Sequence, residues 1–225
     1  MGDLSVKICG VKSIDTALAA ARAGADYLGF VFFRKSPRFI SPDLAEEIIV
    51  ELKQASFDEG FALPKLVGLF VDAGEKELSE AAPFLTHFQF HGHETPERAE
   101  ELGAEFAVDV IKAIPVSVGG DLALADEYSE AADILLFDAK PPPGAKLPGG
   151  NGLAFDWTLL ADYDGAAPYL LAGGLTPDNV QEAVKAQKNA AAFLGVDVSS
   201  GVETAPGEKD LALVEAFVSS AKSVS

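Results

Sequence analysis

The sequence predicts one α/β domain over residues 1–225, a parallel (β/α)₈ barrel. Short apolar runs alternate with longer amphipathic segments along all 225 residues, which is the pattern of alternating strands and helices. Such strict alternation favours a parallel sheet, and eight strand–helix units fit a compact barrel of this length. No linker rich in Pro, Gly and Ser divides the chain into two domains. These three observations together predict the fold class.

The predicted strands are short and rich in Val, Ile, Leu or Phe, as expected for strands that are buried on both faces. In chain order they are Ser5–Cys9, Tyr27–Phe32, Lys65–Val71, His87–Phe90, Phe106–Ile114, Ile134–Asp138, Tyr169–Ala172 and Ala192–Val198.

The predicted helices, about eight in number, begin at recognisable capping residues. Ser13 opens the first helix and Gly24 closes it, because serine caps helix starts and glycine tolerates the left-handed conformation at helix ends. A capping hydroxyl followed by proline predicts three further starts, at Ser41-Pro42-Asp43, Thr95-Pro96-Glu97 and Thr176-Pro177-Asp178. The last predicted helix is Lys209–Lys222.

An open, doubly wound sheet is the alternative to the barrel. The turn Cys9-Gly10-Val11-Lys12 lacks the glycine-rich pattern of a dinucleotide site, and no Walker-type lysine loop is present. We therefore favour the barrel. One stretch interrupts the alternation: three consecutive prolines and several glycines exclude helix and strand over Ala139–Gly152. A loop of that length in a compact domain is often functional.

The composition excludes several classes of protein. The formal net charge of -18 disfavours binding to nucleic acid or to anionic membranes. One cysteine excludes an intramolecular disulfide, and the chain shows neither a signal peptide nor a membrane-spanning apolar run, so we expect a cytoplasmic protein. Residues 1–40 nevertheless hold six basic and three acidic side chains, a local positive region suited to an anionic small molecule.

The first strand ends in a candidate acid–base group. Period-two alternation places Lys7 and Cys9 on one face and the apolar Val6 and Ile8 on the other, so lysine and cysteine should point into the barrel. Chemistry in such barrels occurs at the carboxyl ends of the strands, where Cys9 lies. A thiol must lose its proton to act as a base, so its pKa must come down, and Lys7 could help.

Both residues also have simpler interpretations. A lone cysteine is often only a small buried apolar residue. Lys7 is at least equally suited to an ion pair inside the barrel with Asp109 or Asp197.

The fourth strand divides in the same way, with its phenylalanines outward and His87, Gln89 and His91 inward. Two histidines on one face could bind a metal, but no third ligand stands at suitable spacing, so we expect no metal site. Gln89 is a candidate polar contact for a ligand. Asp138 ends the sixth strand directly before the long loop, where it could act as an acid or simply cap the loop.

The loops after the seventh and eighth strands predict an anion site. Small residues allow backbone N–H groups to converge on an oxyanion, and phosphate-binding barrels commonly use these two loops, although the glycines could also serve only tight turns. The candidate residues are Gly173, Gly174, Asp197, Ser199, Ser200 and Gly201. Arg38, on the loop after the second strand, could hold a carboxylate through its planar guanidinium, or could be a solvated surface arginine.

Taken in order, these motifs resemble a known family. They are Lys7-Ile8-Cys9-Gly10, Ser36-Pro37-Arg38-Phe39-Ile40, Gln89-Phe90-His91-Gly92, Phe137-Asp138, Leu171-Ala172-Gly173-Gly174-Leu175, Asp197-Val198-Ser199-Ser200-Gly201-Val202-Glu203 and Pro206-Gly207-Glu208-Lys209-Asp210. The set is similar to the phosphoribosylanthranilate isomerases of tryptophan biosynthesis, and the similarity runs from residue 6 to about residue 217.

The resemblance implies a cofactor-free Amadori rearrangement of a phosphosugar, N-(5-phosphoribosyl)anthranilate, to 1-(2-carboxyphenylamino)-1-deoxyribulose 5-phosphate. It implies that Asp138 is the general acid, which protonates the furanose ring oxygen, and that Cys9 is the general base, which removes the C2 proton of the sugar. It also implies that Arg38 faces the anthranilate carboxylate and that the glycine and serine loops hold the phosphate. The sequence does not distinguish a monomer from a homodimer.

Other interpretations remain open at this point. The related ProFAR isomerase of histidine biosynthesis uses an aspartate base where this chain has Cys9, and pentose-phosphate epimerases usually need metal ligands. A non-catalytic phosphosugar-binding protein would need neither Cys9 nor Asp138. The chain also departs from the family at one position, because Asn151 replaces the threonine of a Gly-Gly-Thr-Gly loop, and its substrate contacts are in question.

Overall fold

The computed structural model describes residues 4–142, 144–145, 147, 149–150, 154–187 and 189–224. Within these residues, eight parallel strands form a closed barrel: Ser5–Cys9 (β1), Tyr27–Val31 (β2), Lys65–Phe70 (β3), His87–Phe90 (β4), Asp109–Val116 (β5), Ile134–Ala139 (β6), Tyr169–Leu171 (β7) and Phe193–Val198 (β8). Each strand pairs with the next one along the chain, and β8 pairs with β1, so the sheet has no free edge. The predicted barrel is confirmed and the open sheet is wrong.

The helices surround the barrel. In the described part of the chain the α-helices are Ile14–Ala23 (α1), Pro42–Glu59 (α2), Glu75–Ala81 (α3), Pro96–Phe106 (α4), Ala123–Glu127 (α5), Val180–Ala186 (α6) and Leu211–Lys222 (α7). Short 3₁₀ turns lie at Ala82–Phe84, Gly119–Leu122, Trp157–Asp162 and Ser200–Val202. Between β6 and β7, where the eighth helix was expected, the described residues form only the 3₁₀ segment Trp157–Asp162.

Three of the predicted helix starts are confirmed by their capping geometry. The side chains of Ser13, Ser41 and Thr95 each accept a hydrogen bond from a backbone N–H in the first turn. Thr176 does not begin a helix, because its backbone N–H donates to the Asn179 side chain in a turn, and α6 starts at Val180.

Two other predicted boundaries are wrong by a few residues. Phe106 ends α4 instead of opening a strand: Ala107 adopts a left-handed conformation (φ 53°) and β5 starts at Asp109. An apolar run that spans a helix end and a strand start shows no change in hydrophobicity at the boundary. Lys209 likewise belongs to a small hairpin of Glu203–Ala205 (β9) and Glu208–Lys209 (β10), and Asp210 caps α7.

The apolar core has two layers. The larger layer lies between the strands and the helices and includes Val6, Ile8, Phe88 and Phe90, as the period-two pattern predicted. The smaller layer fills the barrel lumen with side chains from β3, β5, β6 and β7 and with Ala172 next to β7. Buried polar side chains enter the barrel mainly from the other strands, with Lys7 on β1, Gln89 on β4 and Asp197 on β8. The lumen therefore holds both apolar and polar side chains, with polar groups on β8, β1 and β4. None of the helices in the described ranges is long and apolar enough to cross a bilayer.

Candidate active site

A pocket opens at the carboxyl ends of the barrel strands. It encloses about 800 Å³, counting the space open to solvent, which suits a small-molecule ligand. The site residues predicted from the sequence all line it: Cys9, Arg38, Gln89, Asp138, Gly173, Gly174, Asp197, Ser199, Ser200 and Gly201. Side chains that are far apart in the sequence meet here because parallel strands bring their carboxyl ends to one rim.

Cys9 is the last residue of β1 and is buried. Burial raises the pKa of its thiol above the usual value; the positive charges of Lys7, Lys209 and Arg38 work against this shift, and the charge of Asp197 adds to it. The charge of Lys7 does lower the thiol pKa, as the sequence suggested, but desolvation outweighs it and the net shift is upward. Cys9 is a neutral thiol at pH 7.

Lys7 forms an ion pair with Asp197 beneath Cys9. Its Nζ donates a hydrogen bond to Asp197 Oδ1 at 2.7 Å, and the lysine side chain is fully buried. Burial lowers the pKa of Lys7, but the neighbouring Asp197 and Cys9 more than offset this and raise it, so the lysine stays charged. Of the two partners that the sequence left open, Asp197 is the correct one.

Asp138 lies on β6 with its side chain 13% exposed. Its Oδ1 accepts a hydrogen bond from the Ala139 N–H at 2.9 Å. Burial, and after it the negative charge of Asp197, raise the pKa of Asp138 to about 7. A carboxyl group with this pKa is about half protonated near neutral pH, so it can donate a proton where an ordinary aspartate cannot.

His91 directly follows β4 and faces Asp138, with 3.7 Å between Nε2 and Oδ2. Burial, with the charges of Lys112 and Lys7, lowers the pKa of His91 to about 4, so the ring is neutral and does not form an ion pair with Asp138. His87 instead lies at the other end of the strand, beside Asp109. Among the described residues, no group of three or more His, Cys, Asp or Glu side chains is arranged to hold a metal ion.

Gln89 presents an unsatisfied acceptor to the pocket. Its side chain is buried, and within the described residues its Oε1 has no hydrogen-bond partner. Leaving a buried amide oxygen unpaired costs about 1–3 kcal/mol, so a ligand N–H or O–H group at this place would recover that energy.

Arg38 is buried and already bound to a protein carboxylate. Its Nε and Nη2 donate to the two oxygens of Glu203 at 2.8 and 2.9 Å. Glu203 Oε1 also accepts from Lys209 Nζ at 2.7 Å, and all three side chains are less than a tenth exposed. Arg38 is thus no solvated surface arginine. Nη2 also donates to the Gly150 carbonyl oxygen at 3.4 Å, so a ligand carboxylate would have to approach the guanidinium beside the Gly150 backbone, on the edge that Glu203 does not occupy.

Glycines form the rim where the backbone comes closest to the polar groups. Gly173 and Gly174 both have positive φ (85° and 65°), a conformation that side chains strain. A Cβ at Gly149 would overlap the His91 ring and the Asp138 carboxylate, so the loop after β6 covers these two groups with bare backbone. Asn151, the departure from the family pattern, lies outside the described residues.

Sequence reasoning missed three residues of the site. Glu203 and Lys209 lie in loop-like sequence, where charged residues are normally solvated, and only their pairing across the β9–β10 hairpin brings them under Arg38. His91 was considered only as a metal ligand. The available signal was its position at the carboxyl end of β4, the same criterion that selected Cys9 and Asp138.

Comparisons with known proteins point to the same family of isomerases. The family model described as N-(5'phosphoribosyl)anthranilate (PRA) isomerase matches residues 6–220. The N-(5'-phosphoribosyl)anthranilate isomerase of Rhodospirillum rubrum is 49% identical over 220 residues, 97% of either chain.

Two solved structures extend this similarity to the fold. One is a phosphoribosyl anthranilate isomerase in complex with reduced 1-(o-carboxyphenylamino)-1-deoxyribulose 5-phosphate, with a TM-score of 0.81 and 34% identity over 98% of this chain and 99% of that one. The other shows monomers generated from the dimeric phosphoribosylanthranilate isomerase of Thermotoga maritima, with a TM-score of 0.80, 34% identity and the same coverage.

Proposed function

Because the chain belongs to the N-(5'-phosphoribosyl)anthranilate isomerase family, we propose that it isomerises N-(5'-phosphoribosyl)anthranilate in tryptophan biosynthesis, with Asp138 as general acid and Cys9 as general base. One observation carries the assignment of roles: among the titratable groups that line the pocket, Cys9 and Asp138 lie on the non-adjacent strands β1 and β6, and Asp138 keeps a proton up to about pH 7. An acid and a base on different walls of one pocket can act on different atoms of one substrate.

The acid step opens the sugar ring. Asp138 gives its proton to the ring oxygen as the bond between C1 and that oxygen breaks. The nitrogen lone pair of the anthranilate forms the new C=N bond, which leaves a protonated Schiff base and an aspartate anion. The raised pKa of Asp138 makes the proton available near neutral pH.

The base step makes the enolamine. Cys9 first loses its thiol proton to solvent; as thiolate it then removes the proton from C2, the electron pair forms the C1=C2 bond, and the C=N pair returns to nitrogen. The enolamine then takes up a proton at C1 while the C2 hydroxyl loses one, which gives the ketone. The positive Schiff base favours the thiolate, since a nearby positive charge lowers the pKa of a thiol, and this offsets the effect of burial.

The remaining site residues are assigned to substrate binding. Arg38 would bind the anthranilate carboxylate on the edge that Glu203 does not occupy, next to the Gly150 backbone, and Gln89 Oε1 would accept a hydrogen bond from the substrate. The phosphate would lie against the loops of Gly173 and Gly174 and of Ser199, Ser200 and Gly201, with Asp197 at the floor of the pocket. No cofactor takes part in these steps. We also propose that residues 1–225 act as one cytoplasmic domain, as a monomer or a homodimer.

The test is the fluorescence decay of freshly generated phosphoribosylanthranilate with purified protein, without metal or cofactor. We expect rapid decay with the wild-type protein, and a loss of about 10²–10⁴-fold with Cys9→Ser or Asp138→Asn, as for positioned acid–base groups. Asp109→Asn is the matched control, because it makes the same change in an exposed aspartate at the opposite end of the barrel. Near-wild-type kcat in Cys9→Ser would remove Cys9 as the base.

A further inference from the structure

We propose that Glu203 and Lys209 form a buried bridge that positions Arg38 on one side and the Cys9 end of β1 on the other, and that the Lys209 ammonium favours the thiolate of Cys9. Lys209 is then a positioning residue for the base. The inference rests on the proposed function, because it presumes that Cys9 acts as a base. It adds two residues that sequence reasoning gave no role.

The bridge fixes the plane of Arg38. Glu203 binds the guanidinium in bidentate fashion at 2.8 and 2.9 Å, and its Oε2 also accepts a hydrogen bond from the Gly207 N–H at 3.1 Å. The carboxylate is thus itself held by the hairpin. An arginine held on one edge presents the other edge in a single orientation, which reduces the entropy lost when a planar carboxylate binds.

The same bridge reaches Cys9 through Ser199. Lys209 Nζ donates to the Ser199 carbonyl oxygen at 2.8 Å and lies 3.5 Å from the Ser199 hydroxyl oxygen. The Ser199 hydroxyl donates to the Cys9 carbonyl oxygen at 3.2 Å. Three linked contacts therefore connect Lys209 with the residue that carries the thiol, and they join the loop after β8 to the end of β1.

Stability alone does not explain a lysine at this place. The side chains of Lys209 and Glu203 are 2% and 3% exposed, and desolvating two charges costs about as much as their attraction returns. Apolar residues of similar size would fill the space at least as well. Arg38, Glu203 and Lys209 together leave one uncompensated positive charge under the pocket, next to the group that must become an anion.

The charges around Cys9 agree with this role. Lys209 and Arg38 favour the thiolate together with Lys7, whereas burial and Asp197 oppose it. The titratable and charged groups that line or underlie the pocket around the thiol are Lys7, Arg38, His91, Asp138, Asp197, Glu203 and Lys209. Burial lowers the pKa of Lys209 itself, and its ion pair with Glu203 opposes this shift. Of the cations, Lys7 is bound to Asp197 and Arg38 to Glu203, and Lys209 shares Glu203.

The experiment uses the single cysteine of the chain, so no second thiol contributes to the titration. The ultraviolet absorbance of the thiolate is followed against pH in wild type, Lys209→Met and Lys209→Arg, each corrected with the matching Cys9→Ser protein. Lys112→Met is the matched control, because Lys112 is also buried and bound to a glutamate, Glu94, at 3.0 Å. Activity measurements give kcat and KM for the same proteins.

We expect Lys209→Met to raise the pKa of Cys9 and to lower the thiolate fraction at pH 8 by about threefold or more, with kcat falling more than KM rises. Lys209→Arg should restore most of the thiolate fraction, and Lys112→Met should leave the Cys9 titration at its wild-type position. Should methionine prevent folding, Lys209→Gln keeps a donor for Ser199 without the charge and should give the same shift.

An unchanged Cys9 titration in folded Lys209→Met or Lys209→Gln would overturn the proposal, whatever happens to activity. So would an equal shift in Lys112→Met, since the effect would then be that of any buried lysine. Failure of the proposed function is a separate result: wild-type protein without isomerase activity, or an active Cys9→Ser protein.

Discussion

The two ends of β4 each hold a buried histidine, but their surroundings differ. At the amino end, the ring nitrogens of His87 lie 2.8 Å from the Thr86 hydroxyl oxygen and 3.4 Å from the Asp109 carboxylate. At the carboxyl end, His91 faces a carboxyl group, Asp138, that is itself poorly solvated. Burial lowers the pKa of both histidines.

Burial of a polar side chain therefore does not by itself mark a functional site. The polar atoms at the amino end are satisfied by neighbouring side chains, so they contribute to folding. Those at the carboxyl end, such as Gln89 Oε1 and the Asp138 carboxyl, are left poorly satisfied and destabilise the free protein. Polar atoms without a full set of partners can bind a ligand, and titratable groups with shifted pKa values concentrate at functional sites.

The largest expected effect is on the free energy of unfolding. A pKa raised from 3.8 to about 7 costs the folded protein about 4 kcal/mol once Asp138 is ionised. The folded state binds the Asp138 proton more tightly than the unfolded state does. The free energy of unfolding is therefore full at pH 3.8 and below, and it falls by this amount as pH rises towards 7.

Asp138→Asn does not titrate, so the variant should be more stable than wild type by about 4 kcal/mol near pH 8 and by less than half of that near pH 5. Urea unfolding at both pH values measures the difference. Asp109→Asn, at the satisfied end, should change stability by only about 0.5 kcal/mol. Equal stability of wild type and Asp138→Asn at both pH values would contradict the comparison, because Asp138 would then carry no strain.

The pH dependence of kcat/KM sharpens the comparison further. Catalysis needs a protonated Asp138 together with an ionised Cys9. Because the pKa of Asp138 is about 7 and that of Cys9 is raised above its usual value, only a minor fraction of the protein carries this pair of protonation states. We expect kcat/KM to rise about tenfold per pH unit up to pH 7, to stay level, and to fall only when Cys9 titrates. The residual activity of Asp138→Asn should lack the break near pH 7. A decline that begins at pH 7 would mean that Cys9 ionises before Asp138.

Replacing Arg38 should have the smallest effect on catalysis, because this residue at the mouth of the barrel is already paired with Glu203. Removing the guanidinium deletes a charged hydrogen bond to the substrate but leaves Glu203 neutralised by Lys209. We expect Arg38→Ala to raise KM by about 10–100-fold with a smaller change in kcat. Steady-state kinetics measure both constants, with Arg22→Ala, an exposed arginine paired with Glu59, as control. An unchanged KM would remove Arg38 from the substrate-binding site.

Much of this molecule could be predicted from the sequence. The eight strands and the inward face of β1 follow from local periodicity, because burial on both faces of a strand dictates apolar residues and a lumen position permits polar ones. Cys9 and Asp138 were found by their position at strand ends. The start of β5 and of α6 could not be placed, because a continuous apolar run and a capping threonine are each compatible with two local structures.

The fold, the rim on which chemistry occurs and the residue types available there all follow from the amino-acid sequence. Only the tertiary structure decided that Lys7 binds Asp197, that Glu203 holds Arg38, and which direction the pKa of each acid–base group takes. Periodicity is a local property that the chain encodes in each element. Desolvation and charge pairing depend on how several strands and loops pack in three dimensions, so burial could raise the pKa of Cys9 although a lysine stands beside it.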